Sequence, residues 1–368
     1  MTAIRSTATA VPAYSYDQNT ARDAVRAWLG DRAPRFERML SAFDSGLVGR
    51  RASVVPIEEI FAPRSFEAKN HLYMQAAVEL GVRAVKACLD EAGLEPADVD
   101  FFIASSCTGF MIPSVDAVIA HRLGMNRSLA RLPITQHGCA GGAVALRQAH
   151  EHLLAHPDHN VLALAVEIPT VTFQTEDFSA SNVISASLFG DGAAAALLTS
   201  EGADNDPHIL GCDSRMFPDS ADLMGFDLTD SGLRIVLSKR VPGEIRAHAP
   251  DAIAEFLAAN GRSLDDIDHF LLHPGGRKII EGFESAFGLG GGALDLTRSV
   301  LARHGNLSSA TVLFILDDFR RGDRGRTGDL GLLVAFGPGF GCESLLLGWG
   351  PQAAPNYGAL LPARESVY

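Results

Sequence analysis

Apolar and polar positions along this 368-residue chain switch between two rhythms. Across residues 70–93 the apolar side chains Leu72, Ala76, Ala77, Leu80, Ala84, Ala87 and Cys88 recur at three- and four-residue spacing, on one face of a helix closed by Gly93. Pro96 then leads into Phe101-Phe102-Ile103-Ala104, an apolar run of strand length. Residues 161–166 and 332–336 are apolar at every position, as strands are when helices cover both faces of their sheet. Helices feeding such strands predict a layered α/β chain.

Part of that pattern repeats. Asp98-Val99-Asp100-Phe101-Phe102-Ile103-Ala104 is echoed 168 residues later by Asp266-Ile267-Asp268-His269-Phe270-Leu271-Leu272, each following a helical stretch. A second echo pairs Phe189-Gly190-Asp191-Gly192-Ala193 with Phe336-Gly337-Pro338-Gly339-Phe340. Together they predict two related halves, residues 1–205 and 206–368, with the seam in the polar, turn-rich stretch 200–207. Residues 320–331, where Gly and Asp alternate with arginines, read as a second exposed loop, and the residues from Gln352 onward as a fraying tail.

Composition narrows the class. With 47% hydrophobic and 20% charged residues the chain has material for a large core, which rules out disorder and a small metal-folded module. A net charge of -13 opposes a nucleic acid partner. There is no apolar run long enough to span a bilayer and no signal-like start, so a soluble cytoplasmic protein is expected. The five cysteines, Cys88, Cys107, Cys139, Cys212 and Cys342, are odd in number and never form a Cys-x-x-Cys pair; neither a disulfide framework nor a metal site is indicated.

One cysteine stands in a special context. Gln136-His137-Gly138-Cys139-Ala140-Gly141-Gly142 follows a short apolar stretch and opens a run of small residues that turns helical. A thiol at a helix start faces unpaired N–H groups and the positive end of the dipole, which favours thiolate, the form of a nucleophile. A buried cysteine in a helix kept small for packing fits the same segment. His273 ends the apolar run 270–272 and precedes Pro274-Gly275-Gly276, at a strand end where sites of layered α/β folds collect; a satisfied structural histidine is the alternative. Asn306, in His304-Gly305-Asn306-Leu307-Ser308-Ser309, also reads as part of a helix cap. The repeat changes their standing: carried through the same offset, Cys139 falls beside Asn306, so the two occupy equivalent helix entries facing each other across a pseudo-twofold axis, with His273 reaching the same floor.

These segments, in order, resemble the type III polyketide synthases, the chalcone and stilbene synthase family. The resemblance runs from Arg35 to Trp349 and is carried by Ser106-Cys107-Thr108-Gly109-Phe110-Met111-Ile112-Pro113-Ser114, Gly138-Cys139-Ala140-Gly141-Gly142, Leu188-Phe189-Gly190-Asp191-Gly192-Ala193, His273-Pro274-Gly275-Gly276, Gly305-Asn306-Leu307-Ser308-Ser309 and Phe336-Gly337-Pro338-Gly339. It implies the thiolase-like fold, two αβ repeats in a five-layered αβαβα arrangement, and a homodimer. It also implies that Cys139 carries the acyl chain from an acyl-CoA starter, while His273 and Asn306 hold the thioester oxygen of malonyl-CoA as it decarboxylates; no metal or redox cofactor is called for. Phe189 matches an aromatic gatekeeper, Gly337 and Pro338 a cavity-wall loop, and Ile112 a dimer-interface loop reaching the partner's cavity, where a cis bond to Pro113 is compatible. Thr172 and Ser308 match cavity residues. Cys107 stands where plant enzymes have Thr and tetrahydroxynaphthalene synthases have Cys, and Ile235 replaces a gatekeeper Phe, widening the passage. Arg35, Arg38, Lys278 and Gly275 are the residues matched to CoA binding.

Three rival readings share some of these residues. A ketoacyl synthase III uses Cys/His/Asn with an acyl carrier protein, yet carries a His-Gln-Ala-Asn run and a different Gly-rich loop. A catalytically silent scaffold would not need all three polar residues. A cysteine hydrolase would need Cys, His and Asn without the decarboxylating context. The ordered motifs favour the synthase, acting on CoA thioesters.

Overall fold

A computed structural model of the chain describes residues 1–203 and 205–350; the tail from Gln352 lies outside the described residues. Its strands are β1 (Thr2–Ala10), β2 (Tyr14–Asp17), β3 (Arg50–Ser53), β4 (Phe101–Ser105), β5 (Ala130–Ile134), β6 (Val161–Glu167), β7 (Gly192–Thr199), β8 (Pro207–Met216), β9 (Met224–Thr229), β10 (Gly232–Leu237), β11 (His269–Leu272), β12 (Leu330–Gly337) and β13 (Gly341–Trp349).

Nine of them are hydrogen-bonded in the order β11-β12-β13-β8-β1-β7-β6-β4-β5. Read outward from the β8–β1 junction, the order mirrors itself. In one arm β4 runs parallel to β6 and β6 antiparallel to β7; in the other β11 runs parallel to β12 and β12 antiparallel to β13. The arms join through only two residue pairs, Thr2 with Ile209 and Ala3 with His208, so two layers of sheet share one continuous ladder. Both sequence echoes fall at matching places: β4 with β11, and the turns leading into β7 and β13.

Helices Gly141–Ala155 and Thr311–Arg321 fill the space between the arms. Leu146, Ala149 and Leu153 of the first and Val312, Ile315 and Leu316 of the second share one core with Ile103 and Ala163 on one side and Leu271 and Leu333 on the other. Outside the first arm lies helix Phe66–Ala92, whose Tyr73, Ala77, Leu80 and Ala84 pack against Phe102 and Leu164. Outside the second lie Val241–Ala259 and Arg277–Phe287, with Ile245, Ile253 and Phe283 against Leu272 and Val334. The layers run α-β-α-β-α. Successive residues of one strand face opposite cores: in β6 Ala163 and Ala165 point to the centre and Leu162, Leu164 and Val166 outward. That explains why these strands are apolar throughout.

Local signals set the ends of the elements. The long helix starts at Phe66, earlier than its periodicity indicates, because the Ser65 hydroxyl accepts from Ala68 N; it stops at Gly93, which takes φ 69°. The loop expected over 320–331 is shorter. Helix Thr311–Arg321 continues through the two arginines because Arg320 and Arg321 pair with Glu91 at 2.9 and 3.2 Å, and β12 begins at Leu330. No helix among the described residues is long and apolar enough to cross a membrane.

The central helix can lie this deep because its first residues lack side chains. A Cβ at Gly142 would overlap the Ser309 carbonyl oxygen, and one at Gly141 the Ser105 hydroxyl. Helix propensity alone would make Gly142→Ala stabilising by about 1 kcal/mol. Overpacking is expected to reverse the sign, with a net loss of about 1–3 kcal/mol in denaturant unfolding; an unchanged or raised midpoint would show that the contact is looser.

Candidate active site

Cys139 sits in the tight turn Gly138–Ala140 that carries the chain from β5 into the central helix. Gly138 takes φ 48°, and a Cβ there would come within 2.6 Å of Pro338, so this glycine both makes the turn and admits the loop from the other arm. The Cys139 Sγ lies 3.5 Å from the Ser308 Oγ.

Ser308 is held at a left-handed φ of 50°, and its N–H donates to the Asn306 Oδ1 at 2.8 Å. The same oxygen accepts from the Thr311 hydroxyl at 3.4 Å, which fixes which end of the amide is nitrogen. The Asn306 Nδ2 donates one hydrogen to the Gly275 carbonyl at 3.2 Å and retains a second. The backbone of Asn306 donates to Leu188 O and accepts from Gly190 N, bridging to Phe189. The gate residue and the asparagine are thus one backbone unit. His273 continues β11, its N–H donating to Val334 O at 2.8 Å. Its side chain is 2% exposed, and neither ring nitrogen has a hydrogen-bond partner among the described residues.

Burial governs the charges. Desolvation pushes the Cys139 thiol up to about 11; the Ser308 hydroxyl pulls it back and the Glu167 carboxylate adds to the rise. Desolvation alone pushes His273 down to about 4. The thiolate expected from a helix start is therefore outweighed at rest by the dry surroundings: both groups are neutral, and moving the thiol proton to the imidazole creates two opposite charges together, each stabilising the other.

Beneath them lies Glu167, fully buried at the end of β6, which the sequence reading did not single out. Its Oε2 accepts from Cys107 N at 3.1 Å and Thr108 Oγ1 at 2.8 Å, and its Oε1 from Ser309 Oγ at 2.5 Å. Burial still pushes its carboxyl up. The Cys107 Sγ lies 3.6 Å from both Glu167 Oε2 and Ser308 Oγ, and its thiol is pushed well up by burial. The signal in the sequence is a carboxylate closing a strand of otherwise unbroken apolar residues.

All three polar residues open into a cavity of about 730 Å³, within the usual range for ligand sites. Phe189, Cys107, Thr172 and Ile235 line it, as do Ser308, Pro338, Gly275 and Lys278. Thr172 is oriented by donating to Pro169 O at 2.8 Å. Four residues matched to substrate or CoA lie outside the lining. Gly337 backs the wall, where a Cβ would stand 2.6 Å from His137 O. Ile112, joined to Pro113 by a cis bond, is 100% exposed on the surface. Arg35 and Arg38 are exposed away from the cavity. Exposed cations that do line it are Lys278 and, not singled out from sequence, Lys239 and Arg277.

Comparison with known proteins agrees with this geometry. The family model described as chalcone and stilbene synthases, N-terminal domain, matches residues 56–203, and its C-terminal counterpart residues 209–349. A putative chalcone synthase of Bacillus subtilis (strain 168) is 36% identical, over 95% of this chain and 99% of that protein. A 1,3,6,8-tetrahydroxynaphthalene synthase of Streptomyces peucetius subsp. caesius is 34% identical, over 95% and 93%. The crystal structure of the 1,3,6,8-tetrahydroxynaphthalene synthase of Streptomyces coelicolor A3(2), a bacterial type III polyketide synthase, superposes with a TM-score of 0.91 at 29% identity, covering 95% of this chain and 100% of that one. With both family domains matched and such relatives aligned over nearly all the described residues, the chain belongs to the chalcone and stilbene synthase family of type III polyketide synthases.

Proposed function

We propose that this site condenses malonyl-CoA with an acyl-CoA starter held on Cys139 and releases a cyclised pyrone, resorcinol-type or other phenolic product. The observation that carries the reading is the His273 ring, buried with both nitrogens unpartnered beside Cys139 and Asn306 in one cavity. Buried polar atoms ordinarily have partners, and a substrate oxygen would supply one here.

In the first step Cys139 gives its proton to His273 and attacks the starter thioester. The Sγ–acyl bond forms, the bond to the CoA sulfur breaks, and CoA leaves with the proton. In the second, the bond to the malonyl carboxylate breaks, CO₂ departs, and the electron pair becomes an enolate. A hydrogen from His273 and the remaining N–H of Asn306 are the donors for that oxygen, and their neutrality at rest leaves them free of competing counter-ions. The enolate carbon then attacks the Cys139 thioester and the Sγ leaves. No metal or organic cofactor has a role.

The same proposal covers the surroundings. Phe189 gates the entry, while Cys107, Thr172, Ile235, Ser308 and Pro338 shape the space in which the chain grows, with Gly337 behind the wall. Lys278 and Gly275 receive the CoA arm, assisted at the mouth by Lys239 and Arg277; Arg35 and Arg38 meet its outer phosphates. Residues 1–205 and 206–368 act as two related halves. The enzyme is a cytoplasmic homodimer in which Ile112 reaches the partner's cavity.

Cys139→Ala is expected to abolish product yet leave malonyl-CoA decarboxylation, whereas Asn306→Ala lowers decarboxylation itself about 10²–10³-fold. Carbon dioxide release and product mass measured side by side test this, and loss of both activities in a folded Cys139→Ala protein would contradict the division of labour. Ser308→Ala removes the hydroxyl that draws the thiol down. Iodoacetamide labelling of Cys139 at fixed pH, followed by intact mass, is expected to slow roughly fivefold, the equivalent of about 1 kcal/mol; an unchanged rate would mean that the 3.5 Å contact has no energetic weight.

A further inference from the structure

Strands β9 and β10 form a two-stranded ribbon apart from the nine-stranded sheet. Such a ribbon is at best marginally stable in water. This one nevertheless walls the cavity, through Phe226 and Leu228 of β9 and Leu233, Ile235 and Val236 of β10. Its position therefore depends on what holds it.

Two buried side chains from different elements hold its turn end. Lys69, in the first turn of helix Phe66–Ala92 and 7% exposed, donates from Nζ to Ser231 O at 3.1 Å and to Phe173 O at 2.8 Å. Gln174, 2% exposed, donates from Nε2 to Leu233 O at 3.0 Å and to Thr172 O at 2.7 Å. Each thus ties a carbonyl of the ribbon to a carbonyl of the segment that carries Thr172 and Phe173, both of which line the cavity. Gln174 is itself gripped by Asn182, whose Oδ1 accepts from Gln174 N at 3.2 Å and whose Nδ2 donates to Gln174 O at 2.7 Å.

Lys69 has no part in the chemistry, and its acceptors are backbone carbonyls rather than a carboxylate. Placing a lysine in so dry a site is costly unless its hydrogens are used. Burial, with Arg64 adding to it, pushes this amine down to about 8. A neutral amine still carries two N–H donors, one for each carbonyl it meets, so the attachment does not depend on charge.

We propose that Lys69 and Gln174 are positioning residues that clamp the ribbon onto residues 172–174, and that this clamp sets the breadth of the cavity and thereby the number of condensations before the chain cyclises. The proposal rests on the condensation reading above. It makes product length a property of two residues that never touch the substrate.

The test uses Lys69→Met, which removes both donors at similar length, Lys69→Arg, which restores donors, and Gln174→Met, which releases the second attachment. Each full-length protein is incubated with malonyl-CoA and hexanoyl-CoA, and products are resolved by mass. Hydrogen exchange is followed in peptides from residues 224–237 and, as a control on folding, in β6 and β7. In both Met variants, ribbon exchange is expected to rise about tenfold or more with the control strands unchanged. Product distribution shifts by at least one two-carbon unit while malonyl-CoA decarboxylation stays within about twofold, a loss too small to involve the transition-state donors. Lys69→Arg returns both readouts toward the unsubstituted protein. An unchanged product distribution, unchanged ribbon exchange, or a Lys69→Arg protein as altered as Lys69→Met would overturn the clamp. If Lys69→Met does not fold, Gln174→Met decides alone. Should the unsubstituted protein itself form no product, the condensation reading fails, and ribbon exchange still decides whether the clamp exists.

Discussion

The central helix and the segment after Asn306 touch through backbone rather than side chains, with Gly142 against the Ser309 carbonyl and Gly141 against the Ser105 hydroxyl. Much else follows from that contact. It lies between the two arms of the sheet, where Gly141–Ala155 and Thr311–Arg321 fill one layer, so it brings the entry turns of both helices together. Cys139 precedes one helix and Asn306 and Ser308 the other, which is how a sulfur and a hydroxyl from opposite arms come to lie 3.5 Å apart. The His273 backbone, anchored on Val334, then places the imidazole over the same floor. A larger residue at either glycine would force the entries apart and dissolve the site before it altered any reacting group.

The second constraint is dryness. Cys139 and His273 are each held neutral by loss of water, and the nearby carboxylate of Glu167 is accommodated because Cys107, Thr108 and Ser309 donate to it. In such surroundings charge is cheapest to create in pairs or under waiting donors, and both condensation steps proposed here do one or the other. At the mouth the balance reverses. Lys239, Arg277 and Lys278 offer local positive charge on a chain of net charge -13, a setting that draws phosphates to one opening while the wider surface repels them.

Much of this was legible in the sequence, for identifiable reasons. Unbroken apolar runs such as 161–166 announce strands buried on both faces, and the echo of 98–104 in 266–272 locates corresponding strands in the two arms. The offset between them put Cys139 beside Asn306, and the structure puts Cys139 beside Ser308 two residues on. What stayed hidden depends on burial and on distant partners. Glu167 gains its place from three donors spread over two arms, and Lys69 looks like any helix-surface cation until its acceptors at 173 and 231 are seen. The thiol's resting state was misjudged because a local rule about helix starts does not register desolvation. Arg35 and Arg38, chosen by alignment of a basic stretch, prove exposed, whereas Arg277 and Lys239 line the cavity without a motif to mark them.

The central claim is that one cavity, built from both arms, elongates a CoA-borne acyl group without a carrier protein. The most direct measurement is to give the purified protein ¹³C-labelled malonyl-CoA with acyl-CoA starters from acetyl to long-chain, and to count label in every product by mass. The account predicts cyclised pyrones or phenolics with whole two-carbon increments of label on an intact starter. Product that forms only when malonyl is supplied on an acyl carrier protein would contradict it.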